Sequence, residues 1–494
     1  MKRPLSLEMM LLLFLVLFVL LAIPVRGKEL GDKLVVHEWG TFTSLQDETG
    51  RALGGINTND EPVPDFVHRL AYNMLLSPTE APPTFFQGAP SCHPDVTMRL
   101  ETPVIYFYPP AGKEFPAFDV KVQFRGGWLT EFYPGADAKA PGIDADAPDH
   151  TFPDIKNGPV GQWLHFGGLK PEAVGELRWK GLRLNAPRDK GGPPQTDAKV
   201  WLAPREVEGI ADVTTVNNET EKYLFYRGVG HVEASLTVSR NVHGELQVDT
   251  HGKPMPPAWL VEVLADGSLA FSAQDMTEQK LQPHTPWTLS GGEFTKGSFA
   301  KGNLARLRTS MHVELVRAGL FPDEADALLN TWSVSYFKAP GTRLFYLVPR
   351  EVTDALLPLE ISQPAEINRV MVGRIEIVTS AQRELLAHIS QGPAPELWRM
   401  RGKTGDAESD FFKRPENVKL FDEVMAGTKP LHDLGLEVPD IYWDYLKLGR
   451  FRNALILDEQ RQRPSAELAK FIEVNRFGAY EIPLEGGPPG PPSN

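Results

Sequence analysis

Residues 319 to 349, GLFPDEADALLNTWSVSYFKAPGTRLFYLVP, constrain the fold more than any other stretch of the chain. Pro322 suits the first turn of a helix, where its missing N–H costs nothing, and Asp323 and Glu324 place negative charge at the positive end of the helix dipole. Ala325, Leu328, Leu329, Trp332 and Tyr336 follow at helical spacing and make one apolar stripe. Pro340-Gly341 ends the helix. Arg343 to Val348 is then an apolar, aromatic-rich run closed by Pro349, the pattern of a strand buried on both faces. A helix folded onto an interior strand describes architecture and leaves the chemistry open.

Other runs read in the same way. Residues 35 to 44 (VVHEWGTFTS) and 98 to 108 (MRLETPVIYFY) are rich in β-branched and aromatic residues and predict strands. Residues 118 to 124 alternate and predict a hairpin with 128 to 133 across Arg125-Gly126-Gly127. Phe66, Val67, Leu70, Ala71, Met74 and Leu75 predict a helix over 64 to 76. Short strands are expected at 198–202, 221–227, 234–239, 245–249, 259–264 and 268–272, and another at 369–378 running into a Thr379–Gln382 capping box. Trp201-Leu-Ala-Pro-Arg-Glu-Val207 echoes Tyr346-Leu-Val-Pro-Arg-Glu-Val352, which suggests a shared way of ending a strand. The glycines of Arg227-Gly-Val-Gly230 are expected in a tight turn. The fold class expected is α+β. A β-sandwich-like domain spans about 28–285, with a Pro/Gly/Asp/Ala-rich insertion at 134–161. A smaller, mostly helical α+β domain spans 286–482, and 483–494 form a disordered tail.

Lys2 and Arg3 precede an apolar run from Met9 to Val25, with Val25 and Gly27 before Lys28, the order of an export signal over residues 1–27. An uncleaved N-terminal anchor is the alternative, since the run nearly reaches membrane length. No later stretch does. The chain is therefore expected in the periplasm or outside the cell. Its net charge of −13 argues against nucleic acid as a partner, which is bound chiefly through Lys and Arg clusters. The single cysteine, Cys92, excludes an internal disulfide.

Signatures for a serine nucleophile, a zinc helix, a phosphate loop and a complete dinucleotide fingerprint are absent from the sequence. The reactive-looking candidates are His37, Glu38, Arg99 and Glu101. Neighbours in a strand point to opposite faces, so His37 and Glu38 line one cleft only if the strand is bulged there, whereas Arg99 and Glu101 share a face. Structural ion pairs are the plainer reading of both carboxylates. Trp39, Trp128 and Trp163 are candidates for stacking on sugars. Asp144, Asp146 and Asp149 offer oxygen ligands of the kind calcium prefers, but without the turn glycine and closing glutamate of an EF-hand loop, and no cofactor is predicted.

At VHEWGTFTS (36–44), LETPVIYFY (100–108), LFYRGVG (224–230) and GTRLFYLVPREVTDALLPLEI (341–361) the chain resembles an uncharacterised family of large exported bacterial proteins, from the mature N-terminus to about residue 378. The resemblance implies export and a shared fold, and it carries over no activity, cofactor or catalytic residue. The leading expectation is a binding or scaffold protein that takes carbohydrate or a cell-envelope component in an aromatic groove. The alternative is a glycoside-type hydrolase using Glu38 or Glu101 with His37.

Overall fold

A computed structural model describes residues 32–58, 63–69, 85–86, 89–90, 92–110, 112, 114–140, 169, 171–187, 192–254, 256–274, 287–289, 294–392, 415–425 and 440–475. The fold is mixed α+β and rich in sheet. Its main strands are β1 (Leu34–Gln46), β2 (Met98–Tyr108), β3 (Phe118–Arg125), β4 (Gly127–Tyr133), β5 (Val174–Leu184), β6 (Leu224–Gly230), β7 (Ala258–Val263), β8 (Leu269–Gln274), β9 (Gly341–Val348) and β10 (Ala365–Ile377). The described helices are α1 (Lys199–Arg205), α2 (Asn303–Arg317), α3 (Pro322–Thr331), α4 (Arg350–Leu356), α5 (Ser380–Gln391), α6 (Pro415–Met425), α7 (Asp440–Lys447), α8 (Arg452–Gln462) and α9 (Ala466–Asn475).

One sheet runs through both halves of the chain in the order β5-β4-β6-β2-β1-β10-β9-β7-β8. β1 lies near its middle, parallel to β10 from Leu34↔Ala365 to Gln46↔Ile377 and antiparallel to β2. A strand with a neighbour on each side and a core on each face must be apolar in both directions, which is why its sequence does not alternate. Leu34, Val36 and Phe42 join Leu100, Ile105, Tyr226, Tyr346 and Met371 on one face. Trp39 joins Tyr106, Phe345 and Val372 on the other, where α2 and α3 bring Leu307, Met311, Leu315, Leu328 and Trp332. A third cluster gathers Leu45, Trp128 and Val378 with Leu386, Ile389, Leu455 and Leu468 from α5, α8 and α9.

The stripe predicted on residues 325 to 336 is buried throughout, although α3 itself stops at Thr331 and turns carry the chain to Pro340. α5 begins as expected, with Thr379 and Gln382 forming a reciprocal capping box.

The sheet takes strands from both sides of the boundary expected near 285, since β1 pairs with β10 and β7 pairs with β9. Several local expectations are corrected. β3 and β4 are consecutive but do not form a hairpin ladder: β3 pairs with β5, and β4 with β6. Residues 199–205 are helix, so the WLAPREV echo is α1 in one copy, while in the other it is the end of β9 followed by α4. His68–Arg69 form a short strand against Phe132 and Glu131 where a helix was expected, and residues 70–76 lie outside the described residues. Gly228 sits inside β6, not in a turn; a Cβ there would lie 2.1 Å from the Trp128 carbonyl oxygen, so glycine is needed for close approach of β4.

Candidate functional site

β1 sends its two most reactive-looking residues to opposite sides of the sheet. Glu38 accepts hydrogen bonds from Tyr226 Oη and from Arg369 Nε, and Arg369 Nη1 also reaches Asp354 Oδ1 at 2.9 Å. Burial would lower the Arg369 guanidinium, but Glu38 and Tyr226 more than reverse this and hold it above its ordinary value. His37 faces α3, with Nδ1 2.8 Å from Glu324 Oε2 and its ring stacked on Phe321 at 4.6 Å. Glu324 also accepts from Tyr108 Oη at 2.7 Å and from the Phe321 backbone N–H at 2.7 Å, so it caps α3 while fastening it to two strands.

On the α3 side, further along the same strands, lies a polar layer. Arg99 and Glu101 of β2 stand beside Thr43 and Thr41 of β1, and Thr43 stands beside Arg374 of β10. Glu376 of β10 pairs in register with Arg343 of β9. These are interior positions of interior strands, so the charges are held in a low-dielectric layer: Arg99, Glu101, Arg343 and Arg374 are each 1% exposed. Register places Glu101 here through a bulge. Three steps on β2 match two on β1, Thr102 takes a positive φ of 45°, and Pro103 crosses over Gly40, where a Cβ would meet Pro103 Cα at 2.9 Å.

Within the layer each carboxylate serves two guanidiniums. Glu101 Oε1 lies 3.0 Å from Arg99 Nε and accepts from Arg450 Nη2 at 2.6 Å, while its Oε2 accepts from Thr43 Oγ1 at 2.8 Å. Glu376 Oε1 accepts from Arg374 Nε at 2.7 Å and stands 3.2 Å from Arg343 Nε. The turns between α3 and β9 cover the second group. Arg343 Nη1 donates to the carbonyls of Ser335 (3.0 Å) and Tyr336 (2.9 Å), Arg343 Nη2 to Ala339 (2.7 Å), and Arg374 Nη2 to Ser335 (2.9 Å). Tyr336 Oη hydrogen-bonds Thr41 Oγ1, and its ring lies 5.6 Å from the Arg374 guanidinium carbon.

Donors outnumber acceptors in this group. Arg374 Nη1 and Ser335 Oγ are buried with no hydrogen-bond partner among the described residues, as is the indole N–H of Trp332 in the same covering segment. Charge tells the same story: burial pushes the Arg343 guanidinium down to about 10; Glu376 opposes that, while Arg374 and Arg450 reinforce it. A site with spare buried N–H and O–H groups and excess positive charge suits an acceptor-only group, that is, an anion.

The structure brings Arg99 and Glu101 together and separates Glu38 from both. Glu38 and Glu101 lie on opposite faces, so they do not flank one groove. Trp39 and Trp128 are fully buried and offer no ring to a sugar. Trp163, Asp144, Asp146 and Asp149 lie outside the described residues. Among the described residues there is no group of three or more His, Cys, Asp or Glu side chains placed to hold a metal, and no helix long and apolar enough to cross a membrane. The residues sequence reasoning missed are Arg343, Arg374, Glu376, Ser335 and Arg450. A signal for two of them was present: the Arg99-Leu-Glu101 spacing recurs as Arg374-Ile-Glu376, and these are the two strands flanking β1. Compared with known proteins, the chain matches no family model, no curated protein and no solved structure.

Proposed function

We propose that this protein is an exported binding protein of the periplasm or cell surface, and that its ligand presents an anionic group to the arginine layer beneath the α3–β9 turns. The observation that carries this reading is Arg374 Nη1, a guanidinium nitrogen buried among interior strands without an acceptor among the described residues. An orphaned buried donor costs roughly 1–3 kcal/mol, more when it is charged, and an acceptor supplied by a ligand removes that cost. The leader-like residues 1–27 support export. Carbohydrate and envelope components remain the partner class, now narrowed to those that carry an acidic group.

Titration calorimetry and thermal unfolding with a panel of small anions at fixed ionic strength test it. Saturable binding by at least one anion, lost in Arg374→Gln, is expected. Wild-type protein that responds to none of them contradicts the reading.

A further inference from the structure

We propose that the anionic group is a single carboxylate, held between the Arg374 guanidinium and the Ser335 hydroxyl. This rests on the anion-binding reading above and narrows it. The layer already contains the pattern to be repeated. Glu101 places one oxygen against the Arg99 and Arg450 guanidiniums and the other on the Thr43 hydroxyl. Half of the same arrangement recurs on β10, across β1 from Glu101. Arg374 uses Nε and Nη2 on Glu376 and Nη2 also on the Ser335 carbonyl, and its remaining nitrogen, Nη1, has no partner among the described residues. The Ser335 hydroxyl, on the residue whose carbonyl Arg374 already touches, has none among them either. Guanidinium nitrogens on one oxygen and a hydroxyl on the other are the donors that Glu101 uses, and here one guanidinium nitrogen and one hydroxyl are spare.

The number of spare donors selects the same class. Four guanidiniums, of Arg99, Arg343, Arg374 and Arg450, face the two carboxylates of Glu101 and Glu376, so the layer favours a further anion. The two spare donors match an acceptor with two oxygens, whereas a tetrahedral anion would bury further oxygens that nothing here satisfies. Arg374 Nη1 and the Ser335 hydroxyl can each donate to one oxygen of a flat carboxylate. A uronic acid or an acidic peptide terminus would present such a group.

The test titrates the full-length protein with acetate and glucuronate in one arm and with inorganic phosphate and sulfate in the other, at constant ionic strength, reading heat and melting temperature. Carboxylates are expected to bind saturably and the tetrahedral anions not to. Ser335→Ala is expected to weaken carboxylate binding about tenfold. Arg374→Lys, which keeps the charge and removes the Nη1 donor, is expected to weaken carboxylate binding; it serves where Arg374→Gln fails to fold, with circular dichroism as the check. Tighter binding of phosphate or sulfate overturns the carboxylate assignment and leaves the anion reading standing. Carboxylate binding indifferent to both variants overturns the placement. No response to any anion overturns both.

Discussion

His37 and Glu38 are neighbours in sequence that anchor opposite sides of one sheet: His37 Nδ1 meets Glu324 of α3 at 2.8 Å, and Glu38 meets Arg369 of β10 on the far face. A regular strand imposes this, and β1 holds its register with β10 without interruption across both residues. Each is therefore a fastener for a different layer.

Glu38→Gln should cost about 3–5 kcal/mol, because it leaves a buried guanidinium without its charge partner. Urea unfolding measures this. Replacing Glu38 and Arg369 together with apolar residues of similar volume should cost less than the single change; equal or additive costs would show that the pair is not coupled.

Glu324→Ala removes three contacts at once: the cap on Phe321, the acceptor for Tyr108 and the partner of His37. A loss of at least about 2 kcal/mol is expected, with early hydrogen exchange at the start of α3. Exchange rates unchanged there would refute the fastening role.

Gly373→Ala is expected to destabilise by about 1–3 kcal/mol through overpacking, since a Cβ would meet the Tyr346 ring at 2.1 Å. Tyr346→Ala in the same chain should relieve part of the clash, which thermal unfolding of the single and double variants will reveal.

Glu376 sets a pH dependence. Burial by itself would raise its carboxyl, but Arg343, Arg374 and Arg450 outweigh burial and hold it below the ordinary value of 4.5. The folded-state value is thus the lower one. Its contribution to stability is present above the ordinary carboxylate range and is lost as pH falls through the lowered value. Glu376→Gln should be less stable than wild type at pH 7, and the difference should shrink on acidification. A difference that grows toward acid would reverse the assigned sign.

The helix–strand unit at 319–349 was legible because each signal in it is local: Pro322 at the helix start, a stripe at 3.6 spacing, Pro340-Gly341 at the stop. The polar layer was not, because it depends on which strands lie side by side. Arg99-Leu-Glu101 and Arg374-Ile-Glu376 gain meaning only once β1 lies between them. Residues 201–207 were misread for a related reason. Trp201 packs on Tyr223 and Phe225 from a helix, whereas Leu347 is hydrogen-bonded into the sheet opposite Val372, so similar words took different structures from different surroundings.

The pairing of β1 with β10 also bears on how the chain is made. Glu38 and Arg369 are separated by 331 residues, so the first long strand to be synthesised acquires one neighbour early, from β2, and its other only when most of the polypeptide exists. Until then it carries an open edge and apolar side chains on both faces, the combination most prone to pairing with the wrong strand. A nascent chain of this design calls for something to shield that edge, or for folding to be held back until the last strand arrives.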